Sequence, residues 1–164
     1  MSAIRRYVQA MVEGLEIVDE DPRSPVGWDL MDRLMDDIAV RYDGDDRPTD
    51  LVPDGVEGDD GAFLAAYVDG RAVGCAALRP VGPGLGEVKR MYVDPNQRGR
   101  GIGAALLAAV EARAITLGYS RLQLETGLMQ PEAVSLYATR GWERIEPYGQ
   151  YKDSPLSICF AKQL

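Results

Sequence analysis

Residues 97–103, Gln-Arg-Gly-Arg-Gly-Ile-Gly, place three glycines and two arginines between a valine-rich strand-like run and an alanine-rich stretch. A loop that follows a strand and opens a helix exposes the first amides of that helix, which have no intrahelical partner, together with the positive end of its dipole. Such an end binds phosphate. Gly99, Gly101 and Gly103 carry no side chain to hold a diphosphate away from the amides of Gly101, Ile102, Gly103 and Ala104, and Arg98 and Arg100 add charged donors. A solvated glycine-rich turn is the plainer alternative for the same residues.

The chain contains no histidine among its 164 residues, which excludes a Ser-His-Asp triad, a Cys-His pair and HExxH zinc chemistry within it. Proton transfer must rest on Glu, Asp, Tyr, Lys, Cys or water. Cys75 and Cys159 stand far apart without CxxC spacing, so they read as buried free thiols rather than as a disulfide or metal ligands. The net charge of −8 is uneven: residues 1–60 hold 17 acids against 6 basic residues, and residues 61–164 hold 9 against 12. An acidic chain repels a nucleic-acid backbone, which argues against nucleic acid as a partner, while a local basic pocket still accepts a small anion. The composition is that of a globular protein, and no apolar run reaches the eighteen or so residues that span a bilayer. Acids interrupt residues 1–22 too early for a signal peptide, so the expectation is one cytoplasmic domain over 1–164, with no membrane partner.

The elements that must position the loop follow from patterning. A short helix is expected over 3–12 and a strand at 15–20. A helix then begins at Pro25 behind Ser24 as N-cap, with Trp28, Leu30, Met31, Leu34, Met35, Ile38 and Val40 at helical spacing. Residues 43–60 form an acidic Pro/Gly-broken loop with eight acids and one arginine, read either as solvated or as a field that steers a cationic ligand. Residues 62–80 read as two strands around Asp69-Gly70, 87–93 as a strand, 101–119 as a long helix, 121–126 as a strand and 130–141 as a helix. The stretches 142–145 and 156–164 supply closing strands, with Tyr148 and Tyr151 in the hairpin between them.

Two phosphate-binding patterns compete for this context. Gly99, Gly101 and Ala104 satisfy G-x-G-x-x-A, and Glu125 ends a strand near the spacing of a ribose-binding acid, as in a dinucleotide fold. Against that stand the five residues between Val93 and Gly99 and the antiparallel hairpin upstream. The better match is the GNAT superfamily of acetyl-CoA-dependent N-acetyltransferases. Residues 93–107 resemble its R/Q-x-x-G-x-G/A motif through Arg98, Gly101 and Gly103. Residues 125–145 resemble its second landmark, N-x-x-A-x-x-L-Y-x-x-x-G-F, through Gln130, Ala133, Leu136, Tyr137, Gly141 and Trp142, with Gln for Asn and Trp for Phe.

The resemblance implies an α/β (α+β) fold: a mixed, mostly antiparallel sheet of six to seven strands, flanked by about four helices and splayed between the fourth and fifth strands. It implies acetyl-CoA as co-substrate and no metal. The main chain of Met91 and Val93 would hold the pantetheine arm and the thioester carbonyl, with Gln130 nearby. Tyr137 would be the general acid for the departing thiolate; packing at a helix end is the other reading of the same residue. An alkyl amine of pKa about 10.4 is neutral in only about 1 molecule in 2,500 at pH 7, so the acceptor needs a base or a water chain. Glu87, 14 residues before Gly101, is the candidate base, or else a strand-end partner of Lys89. The implied function is acetyl transfer to a primary amine, or else a silent acyl-CoA-binding module; a homodimer is compatible with either.

Overall fold

Apolar residues running through 62–82 on both sides of one tight turn make the centre of the molecule. In the computed structural model, which describes residues 12–164, β2 (Ala62–Val68) and β3 (Arg71–Gly82) form an antiparallel hairpin. Asp69 and Gly70 both take positive φ, 49° and 80°, the conformation whose twist matches paired strands. β2 is buried through most of its length and β3 through its middle, from Val73 to Leu78, so they lie under helices on two faces.

Around the hairpin stand β1 (Leu15–Asp19), β4 (Leu85–Val93), β5 (Arg121–Gly127), β6 (Glu143–Ile145) and β7 (Ser157–Gln163), with helices α1 (Pro25–Tyr42), α2 (Ile102–Thr116) and α3 (Pro131–Thr139). The seven strands order as β1-β2-β3-β4-β5-β7-β6. Every neighbouring pair is antiparallel except β4 and β5. A dinucleotide fold needs parallel βαβ repeats, so this topology removes that alternative. The helix expected over 3–12 lies outside the described residues, apart from Val12, which sits in a turn.

Two cores flank the sheet. Ile102, Leu106, Leu107 and Val110 of α2, with Tyr137 of α3, pack on one face against Leu64, Leu78, Val88, Leu122 and Leu124. On the other face Leu30, Met31, Leu34 and Met35 of α1 pack against Phe63, Ala65, Cys75, Ala77 and Tyr92. The helix starts where Ser24, just before Pro25, accepts a hydrogen bond from the Gly27 amide at 3.0 Å. Val40, which helical spacing placed on the apolar face, is exposed.

The acidic loop departs from expectation. Leu51, Val52 and Val56 are buried in the α1-side core, each worth roughly 1.5–3 kcal/mol of hydrophobic burial. Arg23 ties the loop down through Asp50 and Glu57, both at 2.9 Å, and Arg47 bonds Asp32, Asp36 and Asp45. The periodicity of a helix or strand is absent from this stretch, but its scattered apolar residues and paired charges hold it as firmly as an element.

Candidate active site

The parallel β4–β5 ladder is short. It pairs Leu85 with Arg121, Gly86 with Leu122 and Glu87 with Gln123, and beyond those rungs the strands part. β4 also changes phase: β3 advances from Cys75 to Ala77 while β4 runs from Tyr92 to Lys89, so β4 carries one extra residue there. Arg90 sits in that bulge with φ 54°. Before the bulge Val88 faces the α2 side; after it, Tyr92 faces α1 while Met91 and Val93 pack toward α2.

From the opened strands a cleft of ≈ 370 Å³ runs to the start of α2. At its far end Gly101 is the N-cap with φ 88°, preceded by Gly99 at φ 75°, conformations that L-residues with side chains resist. Among the described residues no side chain caps α2, so there the first amides of the helix have no side-chain acceptor. Gly103 is already helical, and a Cβ there would meet Leu136 Cδ2 at 3.4 Å, ordinary contact. Asp94, almost fully buried, directs the chain into the loop by accepting from the Asn96 amide at 2.9 Å and from Arg33 Nη1 of α1 at 3.2 Å.

Arg98 is engaged three ways. Its Nε donates to the Val93 carbonyl at 3.0 Å, Nη2 donates to Asp37 Oδ2 at 3.0 Å, and Nη1 lies 3.6 Å from Glu132. Asp37 is bonded in turn to Arg41 at 3.0 Å, and Arg41 also bonds Glu132. Arg100 points elsewhere, to Gln97. Gln130 is the N-cap residue of α3, and its side-chain oxygen accepts from the Tyr42 hydroxyl at 3.3 Å.

Tyr137 is buried between Trp142 and Phe160, with ring centroids 5.9 and 5.7 Å away, yet it lines the cleft. Burial alone pushes its phenol well above the usual tyrosine range. It therefore stays protonated at any physiological pH, the form that donates.

The α1 face of the opened strands holds a separate group of charges. Glu87 is buried at the closed end: Oε1 accepts from Arg79 at 2.8 Å with Lys89 at 3.8 Å, and Oε2 accepts from the Tyr148 hydroxyl at 2.7 Å. Burial lowers the Lys89 pKa, against the pull of Glu87 and Glu125. Glu125 of β5 accepts from Ser157 Oγ at 3.1 Å, and burial raises its carboxyl above the ordinary range. Tyr151 reaches across to Asp46 of the acidic loop at 3.1 Å.

Residues 28–142 match the model of the Acetyltransferase (GNAT) family. The chain belongs to this family. An IAA acetyltransferase of Azospirillum brasilense is 43% identical to it over 103 residues, 62% of this chain and 67% of that one. A Klebsiella pneumoniae chain described as an acyl-CoA N-acyltransferase superposes with a TM-score of 0.75 at 33% identity, covering 92% of this chain and 97% of the other. A GNAT acetyltransferase of Elizabethkingia anophelis solved with acetyl-CoA bound shares the fold, with a TM-score of 0.67 at 20% identity over 93% and 99% of the two chains.

Of the residues that the sequence singled out in this GNAT chain, Met91, Val93, Arg98, Gly99, Gly101, Ile102, Gly103, Ala104, Gln130 and Tyr137 all border the one cleft. Arg100 and Glu87 do not. Arg100 lies on the exposed side of the loop, and both oxygens of Glu87 are already committed to hydrogen bonds. Sequence reasoning missed Leu34 and Asp37 of α1, Glu132 of α3 and Arg140 just past its end. Asp37 looks like any polar residue of an amphipathic helix, and only the tertiary fold brings it to Arg98. Of the two tyrosines in the closing stretch, Tyr148 bonds Glu87 and Tyr151 bonds Asp46.

Proposed function

We propose that this protein, as one catalytic domain over residues 1–164, moves an acetyl group from acetyl-CoA to a primary amine by direct attack in a ternary complex. The observation that carries this reading is the single cleft joining an uncapped helix start, an opened pair of strands and a buried phenol. The amides of Gly101, Ile102, Gly103 and Ala104, bared by Gly99 and Gly101, take the diphosphate, and Arg98 turns from Asp37 to join them. Arg100, on the rim, adds charge without direct contact. The main chain of Met91 and Val93 receives the pantetheine arm and steadies the negative charge that grows on the thioester oxygen. Gln130 closes the cleft from α3.

The amine nitrogen attacks the thioester carbon, the carbon–sulfur bond breaks, and the electron pair leaves on sulfur. Tyr137 supplies the proton that makes the free thiol. A thiolate of pKa about 8.5 is a fair leaving group, so this assistance is worth on the order of 10²-fold. Glu87 holds Tyr148 and Arg79 in place at the closed end of the strands. Among the described residues that line the cleft there is no activated nucleophile, which favours direct transfer over a covalent enzyme intermediate.

Among the described residues no helix is long and apolar enough to cross a membrane. Two free buried thiols, Cys75 and Cys159, suit a reducing compartment, and we place the protein in the cytoplasm. The test is thiol release from acetyl-CoA against a panel of amines, with calorimetry of CoA binding beside it. Amine-dependent thiol release is expected. Heat of binding without release on any amine would leave the silent acyl-CoA-binding module, and no heat would end both readings.

A further inference from the structure

The bulge in β4 carries an arginine where glycine would sit without strain. Arg90 takes φ 54°, a conformation that residues with a side chain resist, between the closed rungs of the β4–β5 ladder and the opened stretch of Met91 and Val93. Its Nε donates to the Leu51 carbonyl at 2.9 Å, and its own carbonyl accepts from Cys75 Sγ at 3.2 Å, which puts the side chain on the α1 side, half-buried. Burial lowers its pKa and Arg79 adds repulsion, against the pull of Cys75, Tyr151 and Asp50. The charges around it do not cancel. Lys89 feels Glu87, Arg79, Arg90 and Glu125, so the group holds three cations, Arg79, Lys89 and Arg90, against two carboxylates. Arg79 and Lys89 lie 2.8 and 3.8 Å from Glu87, and Lys89 draws on Glu125 as well. Asp50 of the loop already accepts from both Nη groups of Arg23 and from the Val52 amide. Arg90 is the cation left over: among the described residues its two Nη groups have no hydrogen-bond partner and no carboxylate stands within salt-bridge distance.

We infer that the acceptor amine carries a carboxylate, as an amino acid does, and that Arg90 is the residue that holds it. This rests on the acetyl-transfer reading. A carboxylate entering from the α1 side balances the surplus charge and offers the two free Nη groups the paired oxygens that a guanidinium fork matches. Met91 follows Arg90 directly in the chain, and in that reading its main chain receives the pantetheine arm. An anion fixed on Arg90 therefore keeps the rest of its molecule, amine included, beside the thioester carbon. Tyr151, close enough to act on Arg90 and bonded to Asp46, borders the same place from the closing stretch. The strain at φ 54° has a use here: the bulge that turns Met91 and Val93 toward the cleft is also what sets Arg90 on the other side, at the point where the strands part. An amine with no anionic group gains nothing from this cation and, when protonated, is repelled by it.

The experiment measures kcat and both KM values for wild type, Arg90→Gln and Arg90→Lys on matched acceptors: straight-chain amino acids of increasing length, their carboxamides, and the alkylamines of the same length. Glutamine keeps an N–H for the Leu51 carbonyl and removes the charge. Wild type is expected to use an amino acid with kcat/KM on the order of 10²-fold above that of its carboxamide. Arg90→Gln should erase the preference through the acceptor KM, with turnover of the carboxamide and the acetyl-CoA KM within about twofold. Arg90→Lys, a charge without the fork, should keep about a tenth of the preference. A wild type that acetylates carboxamides or alkylamines as well as amino acids, or better, overturns the inference and leaves acetyl transfer standing. So does an Arg90→Gln variant that loses equally on all acceptors, which would make Arg90 a support for the bulge. A wild type that acetylates no amine removes the reading and the inference together. Binding supplies a readout apart from turnover. With CoA present, the preferred amino acid should raise the Tm of wild type and leave that of Arg90→Gln unchanged, and equal shifts in both count against Arg90 as the anchor.

Discussion

The two sides of the gap between β4 and β5 are built on opposite plans. Toward α2, the cleft offers backbone: amides at an uncapped helix start, two glycines at positive φ, and a strand edge left without a partner. Toward α1, side chains dominate, and Arg79, Glu87, Lys89, Glu125, Tyr148 and Ser157 arrive from five separate stretches of chain. A diphosphate has one geometry, and a rigid turn can match it with main-chain donors. An amine needs a charge placed at one point, and that takes groups held in balance by one another. The contrast teaches that the first side should fail through shape and the second through charge.

Shape should give the largest losses. Gly101→Val forces a β-branched residue to φ 88°, a strain of about 1–3 kcal/mol, and sets a side chain among the amides. CoA affinity by calorimetry should fall by on the order of 10²-fold or more, with a lower Tm. Gly99→Ala sharpens the same point. Its methyl meets nothing within 4 Å, so the fold should lose only about 1 kcal/mol for φ 75° while CoA binding falls further than stability does. Tyr137→Phe comes next and leaves shape intact: turnover should drop by on the order of 10²-fold with CoA affinity within about twofold. Equal losses in both would make Tyr137 a packing residue between Trp142 and Phe160.

Charge changes on the cofactor side should be milder. Asp37→Asn frees Arg98 and removes an anion from the path of a diphosphate, so CoA should bind roughly threefold to fivefold tighter at low salt. Weaker binding would mean that Asp37 aims Arg98 rather than competing for it. The smallest effect concerns the acidic loop. Arg23 and Arg47 already pair with Asp50, Glu57 and Asp45, so kcat/KM for a cationic amine should change less than about threefold between low and physiological salt. A steep salt dependence would restore the loop as an electrostatic funnel.

The same contrast explains what could be read beforehand. The Gly99–Gly103 loop, the Asp69-Gly70 hairpin and the Ser24-Pro25 helix start are local codes, in which a few adjacent residues fix the backbone, and all three stand where the sequence placed them. The mixed, mostly antiparallel sheet, parting between its fourth and fifth strands, followed from the family resemblance rather than from patterning. Glu125 was legible as a strand-end acid at the spacing of a ribose-binding group, while the partner it has, Ser157, lies 32 residues away. Glu87 stood out by its spacing, yet Arg79 and Tyr148, which occupy its oxygens, lie in other elements. Leu51, Val52 and Val56 escaped for the same reason: burial in a loop has no period.

The supernumerary residue at Arg90 has a consequence for how β4 divides its labour. In an unbroken strand, positions 87, 89, 91 and 93 would all look the same way, and the charged pair Glu87 and Lys89 would crowd the cleft-lining pair Met91 and Val93. The half-step inserted between them turns one strand into a two-sided partition, with Glu87 and Lys89 serving one chamber and Met91 and Val93 the other. Deleting a single residue here would leave every side chain in the polypeptide and still turn Met91 and Val93 to the wall that Glu87 and Lys89 occupy.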